Sequence, residues 1–262
     1  MHGYVTMPDA VLSLHGIRKH YGAVRALDGV DFGIMPGEIV SLVGDNGAGK
    51  STLVKIMSGA VQPSAGQIRF DGVPVIFESP HDARDAGIET VYQDLAVVPE
   101  LDAEANLFLG REWTGTGMLS RFFLDRKRMR EAAEAHIRSL KVNLKSVHQP
   151  VGLLSGGQRQ SVAVARSILW GRKVIILDEP TAALGVRESR GVLDLILELR
   201  ARNFAVLMVS HSMPHVFEVS DRIFVLRQGR GIAVVDRHRT TMNEIVGLIT
   251  GIPVSADMIA AG

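Results

Sequence analysis

The sequence predicts an α/β fold: a largely parallel sheet with crossover helices, an antiparallel β unit beside it, and a helical insertion. Three observations carry this reading. From Val174 onward, strand-length apolar runs alternate with helical ones, as a parallel sheet requires. The stretch Gly44-Asp45-Asn46-Gly47-Ala48-Gly49-Lys50-Ser51-Thr52 joins a strand-like run to a helix-like one and fits G-x-x-x-x-G-K-[ST] at every defined position. Between about Leu95 and Val151 no strong strand pattern is present.

In chain order, Leu12, Leu14 and Ile17 alternate with polar residues as in a half-buried strand. Ile39-Val40-Ser41-Leu42-Val43 is a short apolar run of strand length, and residues 51–57 have helical spacing with Gly59 as a stop. Ile68, Phe70, Val73, Val75 and Phe77 flank Asp71-Gly72, a β-hairpin with a tight turn. Gly115, Gly117 and Ser120 mark a loop before an amphipathic helix at 126–142, with Met129, Ala133, Ile137 and Leu140 on one face. A helix at 160–169 precedes the alternating half: strand 174–177, helix 186–202, strand 205–210, helix 214–219 and strand 223–226. An edge strand at 232–235 and a helix near 242–250 follow, and the segment from Pro253 is weakly patterned.

Composition narrows the function. The 262 residues allow one large domain or two small ones, and the net charge of +1 argues against a polyanionic partner such as nucleic acid. Arg126-Lys127-Arg128 and Arg237-His238-Arg239 are short, isolated and read as solvated faces. There are no cysteines, which excludes disulfides and thiolate metal sites, and the nine histidines lack metal-ligand spacing. Met1-His2-Gly3-Tyr4 has no charged-then-apolar signal pattern, and apolar runs such as 204–209 are strand-sized. A soluble chain is expected; work at a membrane would need another chain to cross it.

The candidate chemistry begins with residues 44–52. Glycines let the backbone curl so that several N–H groups face one anion, and the following helix adds its free N–H groups. Lys50 supplies a charge for the β- and γ-phosphates, and Ser51 a hydroxyl for Mg²⁺. Val174-Ile175-Ile176-Leu177-Asp178-Glu179 is an apolar run ending in two carboxylates. A strand there delivers Asp178 to the sheet edge beside the loop, suited to the Mg²⁺ shell, with Glu179 able to polarise an attacking water.

Leu154-Ser155-Gly156-Gly157-Gln158 lies just before a predicted helix, and Ser155 stands 19 residues before Val174. By itself it would be a turn or a helix cap. In this order with the phosphate loop and the acidic strand end, the chain resembles the ATP-binding cassette (ABC) ATPases from about residue 10 to 250. The resemblance implies a phosphate-loop NTPase fold: a RecA-like core with an antiparallel β subdomain (10–94 and 160–250), a helical subdomain (about 95–159) and a tail (251–262). It implies ATP and Mg²⁺, and that Ser155, Gly156, Gly157 and Gln158 face the γ-phosphate held by a second subunit. Tyr21 matches the aromatic that stacks on adenine, Gln93 the glutamine that reaches Mg²⁺ and the water, and His211 the histidine that contacts the γ-phosphate. Each is ordinary on position alone: a strand aromatic, a lone Gln, a structural His. Where many members carry an aspartate after Ala183-Leu184, this chain has Gly185.

The likeness is closer to bacterial monosaccharide importers of the ribose, xylose and fructose kind. It is carried by residues 44–50, by Gly87-Ile88-Glu89-Thr90-Val91-Tyr92-Gln93-Asp94-Leu95, by Leu107-Phe108-Leu109-Gly110-Arg111-Glu112, by residues 179–186, and by Leu248-Ile249-Thr250-Gly251. A single cassette resembles the fructose-like members. The resemblance implies a head-to-tail homodimer on membrane-spanning permease subunits at the cytoplasmic face of the inner membrane, with a periplasmic sugar-binding protein as an indirect partner. The alternatives are an importer motor for another solute such as branched-chain amino acids, a non-transport ABC ATPase, and a phosphate-loop kinase. About 60 residues separate Gln93 from Ser155, short for the coiled-coil insertions of DNA-repair members; a kinase leaves 154–158 unexplained.

Overall fold

Alternating side chains along five buried parallel strands set up the two halves of the core. The computed structural model describes residues 9–94, 96–115 and 123–252. Strands β3 (Ile39–Val43), β6 (Ile88–Val91), β7 (Val174–Asp178), β8 (Ala205–Val209) and β9 (Arg222–Arg227) run parallel, and β10 (Arg230–Asp236) closes one edge antiparallel. Their order is β10-β9-β3-β8-β7-β6. Every residue of β3 and β8 is buried, as expected of strands covered on both faces. Ile39, Val43, Ile175, Leu177, Val206 and Met208 point to one side, and Val40, Leu42, Ile176, Leu207 and Val209 to the other.

The second side is covered by α1 (Lys50–Met57) and by a four-stranded antiparallel sheet, β2-β1-β4-β5. Here β1 (Leu12–Tyr21) pairs with β2 (Val24–Ile34), and β4 (Ala65–Phe70) with β5 (Val73–Val75). The expected Asp-Gly turn joins β4 to β5, with Asp71 at φ 50° and Gly72 at φ 74°, the left-handed pair a two-residue hairpin needs. Phe77 lies beyond β5 yet is buried in the same core.

The first side carries α6 (Val186–Ala201), α7 (Met213–Val219), α8 (Met242–Thr250) and the helical insertion. Short α2 (Pro80–Ala86), capped by Ser79, leads into β6. The insertion holds α3 (Ala103–Phe108) and α4 (Arg126–Ser139), and α5 (Gly156–Trp170) packs on them as well as on α6. Phe108 is the hub: it is fully buried, edge-on to Trp113 at 4.8 Å and to Trp170 at 5.7 Å between centroids. The Trp170 indole donates to Leu107 O at 2.7 Å. Buried Asn106 ties down the preceding loop, accepting from Val98 N and donating to the carbonyls of Val98 and Leu101.

Several boundaries differ from expectation, each for a local reason. The helix expected at 126–142 ends at Ser139, because Lys141 turns left-handed at φ 54°. The helix expected from Gln160 begins at Gly156, because Ser155 and Gln158 form a reciprocal cap. The helix expected to run to Arg202 stops at Ala201, before left-handed Asn203, and the strand expected to end at Leu177 includes Asp178. The edge strand expected at 232–235 extends over β10. Leu95, the loop markers Gly117 and Ser120, the chain start and the segment from Pro253 lie outside the described residues.

Phe108→Ala is expected to cost about 3–5 kcal/mol, since it empties the junction of α3 and α5. Chemical denaturation measures this directly; a loss under about 1 kcal/mol would show that the insertion packs elsewhere.

Candidate nucleotide site

Four neighbouring strands, in the order β3-β8-β7-β6, end at the same edge of the sheet. Register makes this a row: Leu42 is level with Val209, Val209 with Asp178, and Leu177 with Val91. From the four ends emerge the 44–52 loop, His211, Asp178 with Glu179, and Gln93. This is the edge at which ligands bind in such sheets.

The loop after β3 needs its glycines. Gly44, Gly47 and Gly49 have φ of 156°, 79° and 106°. At Gly49 a Cβ would stand 2.6 Å from the Ala26 carbonyl oxygen and 2.8 Å from the Leu27 side chain. α1 starts at Lys50 with no side-chain cap, so its first amides remain for a ligand. Asp45, Asn46 and Gly47 are exposed, Ala48 is buried, Ser51 is exposed and Thr52 half-buried. Lys50 is only 7% exposed; its Nζ donates to Gly44 O at 2.6 Å and to Asp45 O at 2.9 Å. Burial pushes the ammonium below the ordinary lysine range, against the opposing pull of Glu179, Asp45 and Asp178.

The two carboxylates stand opposite. Burial raises Asp178 above the usual carboxylate range, with Lys50, His211 and Lys55 pulling the other way. Glu179 is also raised, first by burial and further by Asp178, while His211 and Lys50 oppose. Its backbone is left-handed at φ 52°, fixed by Glu179 N donating to Val209 O at 3.0 Å. Glu179 Oε1 lies 3.1 Å from His211 Nε2, yet that approach lacks hydrogen-bond alignment and buried Oε1 is left without a donor. The arrangement is one cation and two desolvated carboxylates close enough to act on one another's charge, with an exposed histidine beside Glu179.

The other expected residues lie at the end of β1, after β6 and at the start of α5. Tyr21 ends β1, 47% exposed, with Lys19 Nζ 5.2 Å from its ring centroid. Gln93 is exposed after β6, next to Tyr92, whose hydroxyl donates to Ser58 Oγ at 2.9 Å. Ser155, Gly156, Gly157 and Gln158 are not gathered with Lys50. Gln158 Oε1 accepts from Ser155 N at 3.0 Å and its amide donates to Asn143 O at 2.9 Å, while Gly157 is buried against Glu188. Three supporting residues were not among the expected site residues, although Thr181 falls within the 179–186 motif. Thr181 Oγ1 and His215 Nδ1 lie 2.9 Å apart and brace the chain after Glu179. Glu188 caps α6 at Gly185, and only its three-residue spacing hints at that.

The ABC transporter family profile matches residues 27–182, more than half of the chain. The chain belongs to the ABC transporter family. This cassette is 50% identical over 246 residues to the fructose import ATP-binding protein FrcA of Rhizobium meliloti, covering 93% of the chain and 95% of that protein. It is 46% identical to the xylose/arabinose import ATP-binding protein XylG of Sulfolobus acidocaldarius, over 92% of the chain and 94% of the relative. A ribose import ATP-binding protein of Burkholderia thailandensis is 41% identical over 93% of the cassette, which spans 47% of that longer protein. Among solved structures, an ATP-binding cassette of an ABC transporter superposes with a TM-score of 0.81 at 26% identity, over 94% of this chain and 99% of the other. A dimeric cassette in a post-hydrolysis state with ADP and Pi gives 0.71 at 25% identity, over 86% and 98%. The fold is that of an ABC ATPase, and the cassette binds and hydrolyses ATP.

Gly49→Ala is expected to lower stability by about 2 kcal/mol and to weaken nucleotide binding, since φ 106° and the Ala26 carbonyl both reject a Cβ. Thermal melts with and without ATP test it; an unchanged melting temperature would mean that the loop relaxes freely.

Proposed function

We propose that this cassette is the motor subunit of a bacterial monosaccharide importer, working as a head-to-tail homodimer beneath permease subunits. The carrying observation is that Lys50, Asp178, Glu179 and His211 lie close enough to act on one another's charge, whereas Ser155–Gln158 keep separate company with Asn143 and Glu188. One chain thus holds two halves suited to different ATP molecules. Import and sugar class rest on the names of the relatives, among which fructose, xylose/arabinose and ribose importers stand at 41–50% identity.

ATP is the substrate. Residues 44–52 take its phosphates on backbone amides, Lys50 exchanges its two carbonyl partners for phosphate oxygens, and Tyr21 offers its exposed ring to the base. Ser51, Gln93 and Asp178 would hold Mg²⁺; these are hard oxygen donors beside a carboxylate that burial has left short of counter-charge. When bound, the ion supplies charge neutralisation on the phosphates. Glu179 accepts a proton from, and orients, the attacking water, a task suited to a carboxylate whose pKa burial has raised. His211 holds Glu179 from the rim and reaches the γ-phosphate. Ser155 and Gly157 of a second copy complete the grip at the amino end of α5.

Closure on ATP and reopening after hydrolysis move α3 to α5 relative to the sheet, and the Gln93 loop joins the two. Among the described residues no helix is long and apolar enough to cross a membrane. We infer attachment at the cytoplasmic face through the permease, with a periplasmic sugar-binding protein delivering the sugar. Affinity capture of the permease and its binding protein, followed by identification of the bound sugar, tests the transport reading; association with nucleic acid instead would refute it.

Three substitutions separate the roles. Lys50→Ala should weaken ATP binding at least tenfold, and unchanged affinity would remove Lys50 from the phosphate site. Glu179→Gln should keep ATP binding, lower turnover at least a hundredfold and accumulate a closed dimer; normal steady-state hydrolysis contradicts the role. Ser155→Arg should abolish turnover while each monomer still binds ATP, and a variant hydrolysing normally would exclude the two-subunit site.

A further inference from the structure

The turn that carries Glu179 is strained and held at few points. Glu179 and Ala183 both have left-handed backbones, at φ 52° and 57°. L-residues keep that conformation only where the surroundings impose it. Two hydrogen bonds are internal, from Ala182 N to Glu179 O at 3.0 Å and from Leu184 N to Thr181 O at 3.4 Å. They shape the turn without fixing it to the frame. Among the described residues, two hydrogen bonds lead out of 179–184. Glu179 N donates to Val209 O at 3.0 Å, and Thr181 Oγ1 is bonded to His215 Nδ1 at 2.9 Å. Thr181 is buried and His215 half-buried.

Both outside partners belong to one segment. Val209 ends β8, His211 follows it, and His215 lies in the first turn of α7. α7 is itself anchored, with Val216 and Val219 buried in the core and Glu218 ion-paired to Arg190 of α6. Residues 209–215 therefore grip the turn at two points. His211 meets Glu179 between them, with 3.1 Å from Nε2 to Oε1. That contact lacks hydrogen-bond alignment, and buried Oε1 accepts no hydrogen bond. The aim of the carboxylate is thus left to the backbone that carries it. A grip at Val209 alone would leave one pivot about which Glu179 swings; the grip at His215 removes that freedom. We propose that His215 is a positioning residue for hydrolysis, which through Thr181 fixes the turn that aims Glu179 at the attacking water. This rests on the proposed role of Glu179 as proton acceptor. A bond that only stabilised the fold would leave the chemical step untouched. One that aims the base acts on kcat and spares ATP affinity, because a group displaced by about 1 Å loses about a hundredfold in rate.

The test is a double-mutant cycle on the full chain, with turnover normalised to ATP-binding-competent protein and melting temperature recorded. Thr181→Val keeps the shape and removes the hydroxyl; His215→Leu removes the ring nitrogen. Each should lower kcat at least about tenfold while ATP affinity stays within about twofold. The double variant should be no slower than the slower single, since both remove one bond. His215→Asn sets a polar atom where Nδ1 stood and should recover kcat to within about threefold, as should Thr181→Ser. Where Thr181→Val does not fold, His215→Leu against His215→Asn decides alone. A kcat within about twofold of the parent for His215→Leu, additive losses in the cycle, or His215→Asn as slow as His215→Leu each overturns the positioning role. Glu179→Gln distinguishes the two readings: if it is inactive while His215→Leu is normal, the base stands and His215 is only structural. If Glu179→Gln turns over normally, the base falls and the role of His215 with it.

Discussion

Keeping the Lys50 ammonium out of water beside β3 costs free energy, and the architecture of the site follows from how that cost is met. Two loop carbonyls at 2.6 and 2.9 Å take two of its three donors, and Asp178 and Glu179 supply opposite charge. Both carboxylates are themselves desolvated, so neither side of the balance is stable alone. In the proposed cycle the cation would trade these loop carbonyls for phosphate oxygens without relaxing the sheet. A surface lysine would gain little from the same phosphate, because water would already hold it.

That balance demands a rigid frame, and the parallel sheet provides it. β3, β7 and β8 lie level to within one residue, so the loop, Glu179 and His211 are placed by backbone ladders and not by side-chain flexibility. The left-handed turn at Glu179 is held by a bond to Val209 O, the same residue that sets the register of β8 against β3 and β7. Strain at one residue is thereby carried by three strands.

What could be read from sequence follows how local each cause is. The 44–52 loop and the 178–179 pair were legible because ligand chemistry dictates residue type at fixed spacing. β2 was not, since Asp28, Gly29, Asp31 and Gly33 look like turn chemistry. It is a strand because β1 pairs along it and Arg18 and Arg230 bind Asp28. α3 spans six residues, too few to display a period, and is set by Asp102 capping and by Phe108 burial. At the start of α5, Ser155-Gly156-Gly157 alone reads as a turn or a helix cap, and the reciprocal Ser155–Gln158 bonds make it the cap. The Glu188 contact was invisible because it joins residues about thirty positions apart, across two helices.

The same distance gives the contact its consequence. Ser155 and Gly157 sit at the start of α5, on which the insertion packs, whereas Glu188 and Gly185 come soon after the strand that leads to Glu179. Packing of Gly157 on the Glu188 side chain ties the start of α5 to the start of α6 within one chain. Thr181, bonded to His215, lies between Glu179 and that start. The start of α5 is thus tied to Glu179 through the short segment from Thr181 to Glu188.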